Sequence, residues 1–413
     1  MKVLAYTSPA RGHLYPLVPT LLELGRRGHE VAVRTLSAEV DRVRELGLCA
    51  EPIDPAVEAR QHEDWKASSP PAALLAACRT FAERGPHEVG DLRQAIEREG
   101  PDLLLVDVNS WGASAAAEAS RIPWATFAPY FLPLRAPGIP PWGLGLAPAP
   151  GILGRARDSV LWPAVHALYD RALPRLNRLR EEAGVAKLRH VAESVTRAPL
   201  VLYHTAEPFE YPRAWPANVR LVGPGVWEPG AGGVEGSPPD ERPLVLVTCS
   251  TEFQNDGRLV EVALTALADE PVRVVATTAS VDPASFRAPA NARVERFLPH
   301  GPLLREAACV VCHGGMGITQ KALAAGVPVC VVPFGRDQLE VARHVEEAGC
   351  GRRLLPRRLT PARLREAVSE AMDRAPGAAR VADGFRRAGG PGAAADLLEQ
   401  LALRAPTADR RTT

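Results

Sequence analysis

The segment PGVWEPGAGGVEGSPPDERP, residues 224–243, constrains the fold of this chain more than any other stretch. It is dense in Gly, Pro and acidic side chains and shows no apolar period, which marks an interdomain linker. On either side of it one arrangement recurs, short apolar runs alternating with helical ones. Before it, KVLAYT (2–7), EVAVRT (30–35), DLLLVD (102–107) and PWATFA (123–128) are predicted strands, and 15–28, 37–47 and 112–121 are predicted helices. A helical stretch at about 153–184 then leads to two more strands, PLVLYH and NVRLVG. After the linker, LVLVTC (244–249), VRVVAT (272–277), RVERFL (293–298), ACVVC (308–312) and PVCVVPF (328–334) alternate with helices near 257–268, 316–325 and 337–348. Helices fill most of 361–404. Near-continuous apolar strands separated by helices make parallel sheets covered on both faces. The expected fold class is therefore α/β, with two Rossmann-like domains at 1–223 and 244–385 and a final helix and tail at 386–413 packing back towards the first. Ligands of such sheets bind at the carboxyl ends of the strands, which places the expected site in the cleft between the domains.

Charge narrows the partners. The formal net charge is +1 with 23% charged residues, so nothing draws the chain to nucleic acid or to an anionic membrane. MKVLAYTSPARGH has about five apolar residues before Ser, Pro, Arg and Gly, too few for a secretory signal. No run approaches the ~18 apolar residues of a membrane span. Seven cysteines scattered through the chain then read as small apolar residues or free thiols, and the expected location is cytoplasmic.

One long segment breaks the alternation. PYFLPLRAPGIPPWGLGLAPAPG (129–151) is rich in Pro and Gly yet keeps Phe131, Leu132, Leu134, Trp142 and Leu144. A loop of this length inside a compact domain is usually functional, and its apolar content favours a lid or pocket wall over a solvated excursion.

Three clusters of chemistry-bearing residues fall at predicted strand ends. In TSPARGHLYP, His13 follows the first strand and stands just before a helix, where an imidazole serves as a general base near neutral pH. A helix-capping or merely solvated histidine would look the same. Asp107 ends DLLLVD, where its carboxylate can accept the imidazole Nδ1–H of His13 or simply cap the next helix. The third cluster, CHGGMG, holds glycines at 314, 315 and 317 between a strand and a helix, so backbone N–H groups and the helix dipole can meet an anion. Cys309, Cys312 and His313 also spell the C-x-x-C-H of covalent haem attachment. On a strand, however, side chains three apart point to opposite faces, so that match is coincidental. CHGGMG is not a P-loop, and it lacks the G-x-G-x-x-G spacing of a dinucleotide fold. With no D-x-D pair to hold a metal–diphosphate, backbone, dipole and His313 would have to neutralise the anion.

Taken together, GHLYPLVPTLLELGRRGHEV, LVGPGVW and FLPHGPLLREAACVVCHGGMGITQKALAAGVPVCVVPFGRDQLEVARHVEEAGCG resemble the family-1, GT-B-fold glycosyltransferases, particularly bacterial natural-product enzymes that use nucleotide-activated sugars. The resemblance spans nearly the whole chain. It implies an inverting, metal-independent hexosyltransferase with no cofactor, in which His13 is the base and Asp107 its orienting partner. It assigns the donor diphosphate to His313, Gly314, Gly315, Met316, Gly317 and Ile318, with Ser250 and Thr251 as a second phosphate contact. Phe297 and Leu298 would meet the nucleotide base, and Asp337 and Gln338 the donor sugar.

Two departures stand out. Ile318 replaces a Ser or Thr that bonds phosphate in many members, leaving only its backbone N–H. Lys321 replaces a Glu that accepts from the ribose hydroxyls, and Lys has no acceptor. That substitution favours a TDP-sugar over a UDP-sugar. The expected acceptor is an apolar small molecule, with Trp111, Tyr130, Phe131, Trp142, Trp162 and Tyr169 as candidates to line its pocket. Each of these is equally compatible with ordinary core. A homodimer is compatible with the family. Alternatives on the same fold are a catalytically silent partner of another enzyme and a sugar-nucleotide epimerase, but His13, Asp107, Asp337 and Gln338 are all retained.

Overall fold

A computed structural model of the chain describes residues 1–67, 69–149, 151–230, 241–250 and 256–404. Thr251 and half of the Gly-rich segment expected to be the linker, 231–240, lie outside the described residues.

Two parallel sheets organise the molecule. The first contains β1 (Lys2–Tyr6), β2 (Glu30–Thr35), β3 (Cys49–Pro52), β4 (Leu103–Asp107), β5 (Trp124–Ala128), β6 (Leu200–Tyr203) and β7 (Val219–Leu221), in the order β3-β2-β1-β4-β5-β6-β7. The second contains β8 (Leu244–Thr248), β9 (Arg273–Thr277), β10 (Ala292–Glu295), β11 (Ala307–Cys312), β12 (Val329–Val331) and β13 (Gly351–Arg353), in the order β10-β9-β8-β11-β12-β13. Strands β1, β4, β5, β8 and β11 are apolar at nearly every position because helices cover both of their faces. The strand order reverses between β1 and β4, which pair with Ala5 opposite Leu105, and again between β8 and β11, where Leu246 lies opposite Val310. Each reversal opens a crevice at the carboxyl end of its sheet, and each receives one of the clusters singled out above.

Strand β11 disposes of the haem motif. Cys309 packs with Val247 and Leu264 on one side of the sheet, and Cys312 packs with Leu246 and Met316 on the other. Both thiols are fully buried. RVERFL and PVCVVPF both end early: β12 stops at Val331, and β10 stops at Glu295, leaving Phe297 and Leu298 in the connection that runs into Pro299.

The largest element that the sequence pattern does not announce is the 30-residue helix Pro70–Glu99, whose interior holds Gly85 and Pro86. It crosses helix Trp111–Ser120 so closely that a Cβ on Gly112 would lie 2.0 Å from the carbonyl oxygen of Gly85. The Glu88 carboxylate then accepts the Gly112 N–H at 2.8 Å. Helix Gly390–Arg404 lies on helix Arg11–Arg26, with Ala394, Ala395 and Leu398 in the core above β1 and β4. Arg27 anchors it through Asp396 at 2.6 Å and Glu399 at 3.0 Å. Among the described residues no helix is long and apolar enough to cross a membrane.

Candidate active site

His13 is the third residue of helix Arg11–Arg26, which begins four residues after Thr7 ends the turn from β1. Because β1 and β4 are neighbours, this first turn faces the end of β4. There the Nδ1 of His13 lies 2.8 Å from Oδ2 of the wholly buried Asp107. The other carboxylate oxygen accepts the Asn109 backbone N–H at 2.8 Å. The side-chain nitrogen of Asn109 is 3.3 Å from His13 Nε2, and its oxygen accepts the Tyr130 hydroxyl at 2.7 Å. A carboxylate at Nδ1 selects the tautomer that carries its proton there, leaving the Nε2 lone pair towards the cleft. Tyr130 comes from the connection after β5, and its ring stands edge-on to the imidazole with centroids 5.8 Å apart. Asn109 escapes a sequence reading because nothing in VDVNS distinguishes it from a turn residue. Its only available signal is that it sits two positions beyond the strand-ending Asp107.

The second crevice carries CHGGMG. Gly314 adopts φ +91°, and a Cβ there would lie 2.6 Å from Val331 Cγ1. Gly315 precedes helix Met316–Ala324, and a Cβ there would lie 2.4 Å from His313 Nε2. Both positions therefore require glycine. The Thr319 N–H makes the first intrahelical bond, to the Gly315 carbonyl, and no side chain caps the helix. The N–H groups of Met316, Gly317 and Ile318 are thus left without intrahelical partners, a donor array suited to an anion. Gly317 is exposed with open space around it. His313 is buried, and burial together with the Arg336 cation pushes its imidazole down to about 4. It is neutral at pH 7, so it offers an anion a hydrogen bond and no positive charge. Its Nδ1 is buried without a hydrogen-bond partner, 3.8 Å from Asp256. Asp256, which that reading missed, accepts the Ser250 N–H at 2.7 Å and so shapes the loop leaving β8.

Asp337 and Gln338 begin helix Gln338–Glu347. Asp337 is part-exposed, and its carboxyl is raised above the ordinary aspartate range, chiefly by desolvation and against the pull of Arg336 and His13. Gln338 is 1% exposed, and its side-chain oxygen accepts the N–H groups of Phe334 at 2.7 Å and Gly335 at 3.0 Å. That oxygen holds the PFGRDQ loop. Beside them Arg336, at φ +51°, forks onto Asp64 of the N-terminal half at 2.9 and 3.2 Å. Phe297 is 58% exposed and Leu298 is half-buried. Lys321 pairs with Glu228 at 2.7 Å, and Glu228 also accepts the His300 N–H at 3.0 Å.

The expected acceptor wall is largely interior. Trp111 is buried and packs 5.5 Å from Phe81. Phe131 stacks on His344 with ring centroids 3.7 Å apart. Trp162 is buried and donates to the Ile139 carbonyl at 3.1 Å, which fastens the Pro/Gly-rich loop. Phe131, Trp142 and Trp162 do share a cavity, but it holds only about 10 Å³, room for one water. Of that group, Tyr130 reaches the His13 assembly with its side chain, through Asn109. Among the described residues no group of three or more His, Cys, Asp or Glu side chains gathers to hold a metal ion.

The chain is similar to known proteins along nearly its whole length. Residues 261–395 match the family described as erythromycin biosynthesis protein CIII-like, C-terminal domain. The 4'-demethylrebeccamycin synthase of Lentzea aerocolonigenes is 34% identical over 97% of this chain and 99% of its own. The calicheamicin glycosyltransferase CalG4 superposes with a TM-score of 0.77 at 24% identity, over 98% of this chain and 99% of that one. The glycosyltransferase VinC in complex with dTDP gives 0.69 at 24% identity, over 98% and 100%.

Proposed function

The chain belongs to the family-1, GT-B-fold glycosyltransferases of the erythromycin-CIII-like type, and from that membership we propose that it transfers a sugar from a nucleoside diphosphate to a hydroxyl of an apolar natural product, inverting the anomeric carbon. The observation that carries this reading is the half-buried His13 paired with the wholly buried Asp107 opposite Asp337, near enough for His13 and Asp337 to interact electrostatically. An acceptor hydroxyl lies at His13 Nε2. As its proton passes to Nε2, its oxygen bonds to the anomeric carbon and the bond from that carbon to the diphosphate oxygen breaks. The Nδ1–H of the resulting imidazolium remains on Asp107, whose charge stabilises it.

The departing diphosphate gathers negative charge. The N–H groups of Met316, Gly317 and Ile318, with a hydrogen bond from His313, receive it without reorganisation, and Ser250 and Thr251 are a second phosphate contact. Asp337 and Gln338 take the sugar hydroxyls, and Phe297 and Leu298 flank the base. No metal enters this scheme. A TDP-sugar is the favoured donor because Lys321 is committed to Glu228 and offers a ribose no acceptor.

The test is turnover of matched TDP- and UDP-sugars with a panel of apolar hydroxylated acceptors in EDTA, read by mass spectrometry. The expected product gains one sugar, with TDP preferred. In His13→Ala, turnover falls by roughly 10²–10⁴-fold while TDP binding is unchanged. Near-normal turnover in that variant removes His13 from the mechanism, and donor consumption without acceptor favours an epimerase.

A further inference from the structure

Asp107, His13 and Asn109 close a ring of contacts. One carboxylate oxygen of Asp107 meets His13 Nδ1 at 2.8 Å, and the other fixes the Asn109 backbone at 2.8 Å. The side-chain nitrogen of Asn109 returns to His13 Nε2 at 3.3 Å. Tyr130, delivered from the neighbouring strand end, donates to the Asn109 carbonyl oxygen at 2.7 Å and so keeps the NH2 group turned towards the imidazole. Resting on the reading of His13 as base, we infer that Asn109, locked by Tyr130, is a positioning residue that guards the Nε2 lone pair in the empty enzyme and hydrogen-bonds the acceptor oxygen when a hydroxyl enters.

The chemistry follows from what each atom can do. An N–H donor at Nε2 is satisfied by the neutral imidazole and repelled by the protonated one, so this contact keeps the base ready to accept a proton. Turning the amide over would relieve the repulsion, but its oxygen is held by Tyr130. Burial holds the Tyr130 phenol above its usual range, so its proton stays in place for this bond. At 3.3 Å the Asn109–His13 contact is long, and an entering hydroxyl can replace it with two shorter bonds. The hydroxyl then donates to Nε2, and one of the two amide hydrogens donates to its oxygen. An acceptor oxygen seated this way has its proton aimed at the base and a lone pair free for the anomeric carbon.

Among the described residues, charged and titratable groups near the imidazole include Asp107 from β4, Tyr130 after β5 and Asp337 from the other half, with Glu88 and Cys78 of helix Pro70–Glu99 acting on the next layer. All of them remain in the variants Asn109→Ala and Asn109→Asp, and only the phenol is lost in Tyr130→Phe. The experiment is a pH titration of the His13 imidazole by NMR in 15N-histidine-labelled full-length protein, assigned by the signal missing from His13→Ala. In Asn109→Ala the titration midpoint moves up by roughly half a unit to one unit, since one hydrogen bond to the neutral form is lost. Asn109→Asp moves it further by adding a carboxylate, and Tyr130→Phe moves it less in the same direction. TDP affinity measured by calorimetry reports folding independently, because the cradle lies in the other half. Once an acceptor is in hand, Asn109→Ala raises its KM by roughly three- to tenfold at constant donor KM. Midpoints identical to wild type in both Asn109→Ala and Tyr130→Phe, or an unaltered acceptor KM, overturn the inference. The titration needs no turnover, so failure of the base reading, an active His13→Ala, is told apart from failure of this one.

Discussion

Glu88 shows how much of a site can rest on a residue that never reaches it. It lies inside the crossing of two helices, accepts the Gly112 N–H at the start of helix Trp111–Ser120, and so steadies the turn that presents Asp107 and Asn109. Burial, with a smaller push from the Asp107 charge, raises its carboxyl to about 8. The folded value stands above the unfolded one, so the folded state holds this proton more tightly. Its contribution to stability is complete below about pH 4.5 and is lost as pH rises through about 8. The loss accrues at up to about 1.4 kcal/mol per pH unit. In Glu88→Gln, which keeps the acceptor and cannot ionise, Tm is expected to vary less between pH 5.5 and 8, with the variant the more stable protein at pH 8. Parallel Tm–pH curves for the two proteins would show that Glu88 ionises without cost. His13, Asp107 and His313 are legible in the sequence because each stands at a strand end beside turn chemistry, and Asp337 because PFGRDQ matches a family pattern. Glu88, Asn109 and Asp256 are not, because their roles come from contacts that only the fold creates.

Among the elements, those that a sequence pattern identifies are the ones whose stability is local. The strands of both sheets other than β3 and β13, and helix Arg11–Arg26, carry the expected periods, and they form within two to four residues of the predicted bounds. Helix Pro70–Glu99 does the opposite. Gly85 and Pro86 weaken it at its centre by propensity, yet that weak point is where helix Trp111–Ser120 crosses. Glycine is needed at 112, where a Cβ would lie 2.0 Å from the Gly85 carbonyl oxygen, while a Cβ on Gly85 would meet a third helix, at 2.4 Å from Leu179 Cδ2. Tertiary packing overrides the local penalty, and no window of sequence contains both partners. Gly112→Ala is expected to force the helices apart at the cost of about 1–3 kcal/mol, seen as a lower denaturant midpoint. Turnover should fall further than stability explains, because Asp107 and Asn109 sit directly before the displaced helix. A variant with wild-type midpoint and turnover would mean that the crossing is loose.

In the molecule as a whole, the two sheets could be foreseen but the seam between them could not. One apolar cluster runs without a break from Leu4 and Leu104 in the first sheet to Leu246 and Val310 in the second. Around it the Pro/Gly-rich loop is clamped by the C-terminal half. Glu340 accepts the N–H groups of Gly143 at 3.0 Å and Gly145 at 3.3 Å, and Arg343 and Arg353 donate to the Gly145 carbonyl at 3.0 and 3.2 Å. These contacts lie behind the cleft, whereas the Asp64–Arg336 fork beside Asp337 and Gln338 is a polar tie at its mouth. With Asp64 7% and Arg336 28% exposed, the pair is screened on one side only, which makes it worth about 1–2 kcal/mol rather than the larger cost of breaking a fully buried pair. That is a roughly 5- to 30-fold change in the ratio of closed to open cleft. Asp64→Ala should therefore leave the fold intact, held by the shared core and the loop clamp, while water reaches the donor sugar more often. Measured with donor alone and with donor plus acceptor, the variant is expected to hydrolyse the nucleotide sugar several-fold faster than wild type and to transfer it more slowly. Small-angle scattering should show a slightly larger radius of gyration. Hydrolysis and transfer falling together would instead place Asp64 in forming the sugar site through Arg336, and unchanged rates for both would leave the loop clamp alone to hold the cleft shut.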